Sequence, residues 1–467
     1  GQLGSGSFGR VFRARHVQTG EERAVKRIPL SGVQDDKEFV HTELEALIRL
    51  NHPNIVKFYE FFEDAKGLYV VTEVCVEGNF KRLNVDIVDP SEITLLFRDL
   101  IKALAYCHDH GVAHRDLKFE NCLIQKQPEM RRVAKVIDFG LAAIRRHGDE
   151  TDRWSTGRLG SKYFVAPEVI GGRPYGFKCD CWAVGVMMYI VLADEHPCVD
   201  SSSFAPHEFF QAVLHGPIRM LPLGMRGVDP VAQDLIANLL AKNPDHRLDS
   251  RSALRHEWFE RAANRGSWHD MKRVPVWSRR SLDGGMVLRM RSFASHSRFE
   301  RAVLTLVAHN AMSRDVEDLR AAFDELDTSR TGSLSKADIR AGICVCSNFI
   351  AEEDLDVIFE SLDTDSTGRV QYADWLAATV EPSLVSSEKA MKQVFTFFDQ
   401  EQEGKIMRKQ LREMLDNNPI VCSALASSAH SDDEWLSEAD FKALLRDVAE
   451  DLERRCLHRN DHDTDMD

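Results

Sequence analysis

The chain has 467 residues, 43% of them hydrophobic and 29% charged, a composition that suits two or three globular domains and excludes a disordered or collagenous chain. Its formal net charge of −14 is unevenly placed: residues 301–467 hold 18 Lys and Arg against 35 Asp and Glu, whereas residues 1–300 hold 42 against 39. The excess acid belongs to the last third, which argues against a nucleic-acid-binding protein and leaves a segment that must solvate its carboxylates or hold cations.

In chain order, the first element is Gly4-Ser5-Gly6-Ser7-Phe8-Gly9, followed by the alternation Val11, Arg13, Arg15, Val17. This predicts strand, glycine turn, strand. Glycines let backbone N–H groups approach a phosphate chain, but a dinucleotide fold or a plain hairpin uses the same spacing. A dinucleotide site would need a helix opening at Gly9, where the residues are strand-like. Next, Ala24-Val25-Lys26 places a lysine on a strand, and Glu43 sits in a helical stretch with Phe39, Leu47 and Leu50 that ends at His52-Pro53. A strand lysine is ordinarily a solvated surface residue. One that must hold phosphates needs a carboxylate to fix it, and Glu43 is placed to supply it.

The segment His114-Arg115-Asp116-Leu117-Lys118-Phe119-Glu120-Asn121 is followed by Asp138-Phe139-Gly140 and then by Ala166-Pro167-Glu168. With the glycine turn, Lys26 and Glu43 in the same order, residues 1–260 resemble the eukaryotic protein kinases. The resemblance implies an α+β bilobal kinase fold with Gly4, Gly6, Gly9 and Val11 over ATP, Lys26 and Glu43 on its phosphates, and Glu73-Val74-Cys75 as the hinge whose backbone reads adenine, preceded by gatekeeper Thr72. It implies that Asp116 accepts the substrate hydroxyl proton, that Asn121 and Asp138 hold Mg²⁺, and that Lys118 stabilises the transferring phosphoryl group, which favours Ser/Thr over Tyr. Asp180 and Trp182 open a buried helix, and Arg247 is expected to pair with Glu168. Departures are Phe119 where the family has Pro, Asn79 where basophilic relatives have Glu, and Gly157 where many kinases carry a regulatory Thr, with Ser155 and Thr156 beside it. Glu120 remains as a partner for a substrate arginine, so a preference for basic motifs is weakened but still expected.

The longest apolar run, Cys181 to Ala193, has 13 residues. That is short of the roughly 18 a membrane span needs, and it predicts a core helix. Ten cysteines without a Cys-x-x-Cys pair point to reduced thiols and a cytoplasmic location. The chain opens on glycine rather than methionine, so it is expected to be a fragment lacking its native N-terminus, where a lipidation signal would lie.

Between the kinase-like region and the acidic third, residues 271–301 carry Lys272, Arg273, Arg279, Arg280, Arg289, Arg291, Arg298 and Arg301 against Asp283 and Glu300, and Phe299, Ala302, Val303, Leu306 and Val307 follow at helical spacing. This is either a solvated linker or the basic amphipathic helix that a calmodulin-like domain binds.

Two segments 36 residues apart, Asp327–Asp338 and Asp363–Asp374, share Gly at position 6 and an aliphatic residue at position 8 between amphipathic helices. They resemble EF-hand loops, in which oxygens at positions 1, 3, 5, 7, 9 and 12 surround Ca²⁺. The second offers Asp363, Asp365, Thr367, the Arg369 carbonyl and Asp374, and is the best candidate. The first offers Asp327, Ser329, Thr331, the Ser333 carbonyl, Ser335 and Asp338. A third copy begins at Asp399 with Glu401, Glu403, Gly404 and Ile406, but Met407 and Gln410 stand at positions 9 and 12. A fourth is faint: Leu436 at position 8 and Asp440 at position 12 put Ala429 at position 1 and Glu434 where glycine belongs. No loop ends in the bidentate Glu, and an Asp there weakens Ca²⁺ binding.

The whole chain resembles the calcium-dependent protein kinases. The expected layout is a multidomain chain with the catalytic domain at 1–260, a basic autoregulatory junction at 261–312, and an all-α calmodulin-like domain. That domain comprises an EF-hand pair at 313–380, a degenerate pair at 381–458 and an acidic tail at 459–467. The implied function is a Ser/Thr protein kinase using ATP, Mg²⁺ and Ca²⁺, restrained by a contact between junction and EF-hands that Ca²⁺ relieves. The alternative is a Ca²⁺-independent kinase or a scaffold whose EF-hand domain only docks. Expected partners are protein substrates bearing Ser or Thr, with no nucleic acid and no transmembrane segment.

Overall fold

The computed structural model describes the chain apart from residues 7–8, 18–19, 30–36, 65, 84–87, 127–131, 146–153, 155–160, 200–204, 221–222, 224–225, 260–283, 297, 311–315, 329–330, 345–351, 365–366, 400–403, 408–434 and 459–467. Lys272 to Asp283 of the junction, Ser155 to Gly157, Ser329, Asp365, Gln410, Ala429, Glu434 and the acidic tail therefore lie outside the described residues. The chain divides into two compact units, most of the first formed by Gly1–Arg15 and Glu22–Arg273 and most of the second by Val274–Ser329 and Ser333–Asp467.

The first unit opens with an antiparallel sheet of β1 (Gln2–Gly6), β2 (Gly9–Arg15), β3 (Glu22–Ile28), β4 (Phe58–Asp64) and β5 (Gly67–Glu73) in the order β1-β2-β3-β5-β4, with helix α1 at Lys37–Arg49. Alternation along β3 puts Lys26 on the face of buried Ala24 and Ile28. Val11 of β2 and Val70 of β5 are its cross-strand neighbours. Gly9 is required by the approach of β2 to β3, because a Cβ there would lie 2.2 Å from the Arg27 carbonyl oxygen.

The rest of this unit is mainly helical. Helix α2 (Pro90–Asp109) starts where Asp89 accepts from Ser91 N–H and Pro90 fills the first turn. Short strands β6 (Val112–Ala113), β7 (Cys122–Lys126), β8 (Arg132–Val136) and β9 (Ala143–Ile144) pair as β6–β9 and β7–β8. Helices α3 (Pro167–Ile170), α4 (Lys178–Ala193), α5 (Pro206–His215), α6 (Pro230–Leu239) and α7 (Ser250–Leu254) follow. The apolar run at 181–193 lies in α4, nearly all of it buried, because a helix surrounded by α2 and α6 has no face for water. Among the described residues no helix is long and apolar enough to cross a membrane.

One histidine of this unit is half-buried in its neutral form. His196 Nε2 donates to the Tyr163 carbonyl at 3.0 Å while Nδ1 accepts from Cys198 N–H at 3.2 Å, so the ring is held in its neutral form. Burial lowers its pKa to about 4, although the bond to Tyr163 opposes the fall. A pKa lower in the folded state than in the unfolded one means that stability is complete above about pH 6.5 and is lost as pH falls toward 4. His196→Asn is expected to flatten the dependence of Tm on pH across that window; equal slopes in parent and variant would contradict the assignment.

The second unit is helical: α8 (Gly284–Ala294), α9 (Arg298–Asn310), α10 (Glu317–Leu326), α11 (Lys336–Cys344), α12 (Glu352–Leu362), α13 (Tyr372–Thr379), α14 (Pro382–Val385), α15 (Glu388–Phe398) and α16 (Glu438–His458). Between them run β10 (Ser333–Leu334) with β11 (Val370–Gln371), and β12 (Lys405–Met407) with β13 (Trp435–Ser437). Each ribbon joins two neighbouring loops at position 8, Leu334 opposite Val370 and Ile406 opposite Leu436. Gly332, Gly368 and Gly404 have φ of 75°, 75° and 74°. This left-handed turn is what fixes glycine at position 6. Met286, Val287, Met290 and Phe293 of α8 and Val303, Leu304 and Val307 of α9 belong to the same apolar cluster as Phe323, Trp375, Phe395 and Phe441. Arg289 Nε also donates to the Thr379 carbonyl at 2.7 Å.

Candidate active site and cation loops

The kinase-like residues converge in the first unit. Lys26 Nζ lies 2.6 and 2.9 Å from the two Glu43 oxygens and 2.8 Å from Asp138 Oδ1. Burial by itself would discharge this ammonium, but the two carboxylates hold its pKa above the ordinary lysine value. Burial opposes ionisation of Asp138 as well, and Lys26 outweighs it, so Asp138 stays below the usual carboxylate range. Glu43, more deeply buried, is pushed up.

Asp116 accepts from Lys118 Nζ at 2.6 Å and from Asn121 Nδ2 at 3.3 Å on Oδ2, and from Ser161 N–H at 2.8 Å and Ser161 Oγ at 3.0 Å on Oδ1. Asn121 Nδ2 also donates to the Asp116 carbonyl at 2.9 Å. The Asn121 amide nitrogen is thereby committed to Asp116, which fixes its flip and turns its oxygen the other way.

The backbone beneath these groups is held against its preferences. Arg115 and Asp138 have φ of 63° and 66°, uncommon for residues with a Cβ. Asp180 Oδ2 accepts from His114 N–H at 2.9 Å and Oδ1 from Arg115 N–H at 2.8 Å, and His108 Nε2 is 3.0 Å away. Asp180 is fully buried, which raises a carboxyl pKa, yet these partners bring it below the ordinary value. Arg115 in turn donates to the carbonyls of Leu141 at 2.7 Å and Ala142 at 3.1 Å, tying the loop of Asp116 to the segment after Asp138. Ser161 was not legible in the sequence; it is one hydroxyl in a segment that also offers Ser155 and Thr156.

Glu73 pairs with Lys135 at 2.5 Å and accepts from Lys57 N–H at 2.8 Å. Its side chain faces the fold and its N–H donates to the Lys57 carbonyl at 2.9 Å, while its carbonyl accepts from Thr72 Oγ1 at 3.3 Å and keeps one lone pair for a ligand. Cys75 is half-buried and its thiol pKa is pushed up by burial. Phe119, in place of proline, packs edge-on against Phe164 at 5.4 Å. Asn79 caps a short turn by accepting from Lys81 N–H at 3.2 Å, and exposed Glu120 lies 4.0 Å from Lys81. Gly4, Gly6 and Val11 lie on β1 and β2.

In the second unit the best loop closes on itself. Asp363 Oδ1 accepts from Thr367 N–H at 2.9 Å and Oδ2 from Gly368 N–H at 2.8 Å. Thr367 Oγ1 lies 3.4 Å from Asp363 Oδ1 and 3.3 Å from the Arg369 carbonyl oxygen, so the oxygens of positions 1, 5 and 7 converge. An all-oxygen cluster of this kind fits a hard divalent cation. Asp374 Oδ1 accepts from Thr364 Oγ1 at 3.1 Å.

The first loop, with Asp327, Thr331, Ser333 and Asp338 all buried, differs. Asp338 Oδ2 accepts from Ser335 N–H at 2.9 Å and Ser335 Oγ at 2.6 Å, and Oδ1 from Thr328 Oγ1. Ser333 receives the Arg369 guanidinium on both its Oγ and its carbonyl. In the third loop Asp399 Oδ2 accepts from Gly404 N–H at 2.8 Å, the same turn, while Glu401, Glu403 and Gln410 lie outside the described residues.

The protein kinase domain family matches residues 1–259, and the EF-hand domain pair matches residues 316–379. Among curated proteins, Calcium-dependent protein kinase 8 of Oryza sativa subsp. japonica is 31% identical over 352 residues, covering 73% of this chain and 61% of its own length. Calcium-dependent protein kinase 12 of Arabidopsis thaliana is 30% identical over 343 residues, 72% of this chain and 66% of its own. Calcium-dependent protein kinase 3 of Plasmodium yoelii yoelii is 28% identical over 344 residues, 73% and 60%. The chain thus spans less than two thirds of the length of these relatives.

Proposed function

Because the chain belongs to the protein kinase family, we propose that it transfers the γ-phosphate of ATP to Ser and Thr hydroxyls of proteins under the control of Ca²⁺ bound by its own EF-hands. The observation that carries the catalytic half is the pair of linked clusters, Lys26 with Glu43 and Asp138, and Asp116 with Lys118, Asn121 and Ser161.

Phosphoryl transfer asks for positioning and for neutralisation of charge rather than covalent help. Glu43 holds Lys26, the cross-strand neighbour of Val11, where it would meet the phosphates of ATP together with Gly4, Gly6 and Gly9 of β1 and β2. The backbone of Glu73 and Cys75 takes the adenine. Asp138 and the Asn121 oxygen would hold Mg²⁺, whose charge would offset that of the phosphate oxygens. Asp116 takes the proton of the substrate hydroxyl and aims it, its two oxygens fixed by Lys118 and Asn121 on one side and Ser161 on the other. Lys118, 2.6 Å from Asp116, also stabilises the charge on the moving phosphoryl group. A scaffold would have no need to keep this full set.

For the regulatory half, Asp363, Asp365, Thr367, the Arg369 carbonyl and Asp374 hold Ca²⁺. The apolar sides of α8 and α9, packed on the EF-hand core, support a junction that responds to that ion. The catalytic domain then occupies 1–260, the junction 261–312, the two pairs 313–380 and 381–458, and the tail 459–467. Substrates with basic residues fit Glu120, and the reduced cysteines fit the cytoplasm. Phosphotransfer to a serine peptide at constant Mg²⁺, with and without Ca²⁺, tests both halves: transfer is expected to require Asp116 and to rise with Ca²⁺.

A further inference from the structure

Arg369 faces two cation loops at once. Its main-chain carbonyl is the position-7 oxygen of the second loop, 3.3 Å from Thr367 Oγ1. Its side chain reaches the facing strand of the β10–β11 ribbon, where Nε donates to Ser333 Oγ at 2.6 Å and Nη2 to the Ser333 carbonyl at 2.7 Å. That carbonyl is the position-7 oxygen of the first loop, the lone pair an EF-hand turns toward its ion. A guanidinium is permanently charged and planar, and two parallel donors fix it in place. The first loop's closing carboxylate, Asp338, is committed to Ser335 and Thr328.

We propose that Arg369 is the resident cation of the first loop, so that residues 327–374 bind one divalent ion, in the second loop, rather than two. A Ca²⁺ ion in the first loop would have to share the Ser333 carbonyl with a positive charge already bonded to it, and the loop has only Asp327 and Asp338 as carboxylates to offset both. The guanidinium also supplies part of what an ion supplies, a positive charge drawing loop oxygens together. The first loop therefore keeps its shape and its ribbon partner without Ca²⁺. The pair becomes a one-ion switch whose two loops are joined through a single residue: movement of the Arg369 main chain on ion binding in the second loop is carried by its side chain to Ser333 in the first. This inference rests on the proposal that the EF-hand region binds Ca²⁺.

The test is calorimetric titration of the full chain with CaCl₂ at constant Mg²⁺, comparing the parent with D363A, D327N, R369A and R369A/D327N. The parent is expected to show an Asp363-dependent binding event that D327N leaves in place. R369A is expected to add a second event that R369A/D327N lacks, taking the pair from about one ion to about two. Retention of the Asp363-dependent event in R369A shows that the pair has folded. If R369A does not fold, R369Q, which keeps an amide donor without the charge, is expected to show the same added event. A parent isotherm with an event removed by D327N, or an Asp363-dependent event with nothing added in either Arg369 variant, overturns the inference while leaving the sensor intact. Absence of any Asp363-dependent event overturns both.

Discussion

Replacing Asp116 by Asn is expected to lower the phosphotransfer rate by about 10²–10⁴-fold, the usual worth of a positioned general base. Nucleotide binding should persist, because the Lys26, Glu43 and Asp138 cluster is untouched. An amide in this position has one oxygen for two sets of donors. If it faces Ser161, its nitrogen meets Lys118 and the Asn121 nitrogen; if it faces those, its nitrogen meets the Ser161 N–H. The variant thus loses the proton acceptor and the alignment together, and the loss is expected in kcat rather than in the KM for ATP. A kcat within tenfold of the parent would remove Asp116 from the role given to it.

Arg247→Ala is expected to cost about 3–5 kcal/mol, the cost of breaking a buried ion pair by removing one partner. In a domain of this size that is a fall in Tm of roughly 10 °C. The Arg247 side chain is 0% exposed and Glu168 is 4% exposed. Its guanidinium meets both Glu168 oxygens at 2.6 and 2.9 Å and the carbonyls of Ala241, Lys178 and Lys242 at 2.9, 2.8 and 3.4 Å. Truncation leaves a buried carboxylate and three carbonyls without that donor, and water cannot easily reach them. Removing Glu168 as well is expected to recover part of the loss, since the orphaned charge goes with it. Arg247→Lys cannot reproduce the two-pronged geometry and is expected to fall between parent and Ala. A loss below about 1 kcal/mol in Arg247→Ala, as for an exposed pair, would contradict the account.

Where chemistry dictates residue type and spacing together, the sequence was informative. A phosphate-binding lysine needs a carboxylate, and Glu43 stood on the next helix. A Ca²⁺ loop needs a left-handed turn at position 6, and glycine recurs there every 36 residues through Gly332, Gly368 and Gly404. The aliphatic at position 8 aligns Leu436 with Ile406 although the 36-residue spacing and the glycine are lost in the fourth loop, and the two face each other on the β12–β13 ribbon. What escaped were contacts between distant side chains that follow no local period. Ser161 meets Asp116 across 45 residues. Asp180, which the sequence marks only as the opening of a helix, supports the backbone of His114 and Arg115. The loop spacing singles out only the Arg369 carbonyl, whereas its guanidinium on Ser333 follows from the geometry of a ribbon. The junction is a mixed case. Of its apolar residues at helical spacing, Val303 and Val307 are buried and the side chains of Phe299, Ala302 and Leu306 lie outside the described residues; the break between α8 and α9 around Ser295 and His296 has no proline or glycine to announce it.

The central claim, a kinase switched by its own Ca²⁺ loop, is tested most directly by serine-peptide phosphorylation with Mg·ATP fixed and free Ca²⁺ raised from chelated to millimolar, in the parent and in Asp363→Ala. The rate is expected to climb with Ca²⁺ in the parent, and the response to be lost or displaced to much higher Ca²⁺ in the variant. A parent rate that stays constant across the whole range would contradict it.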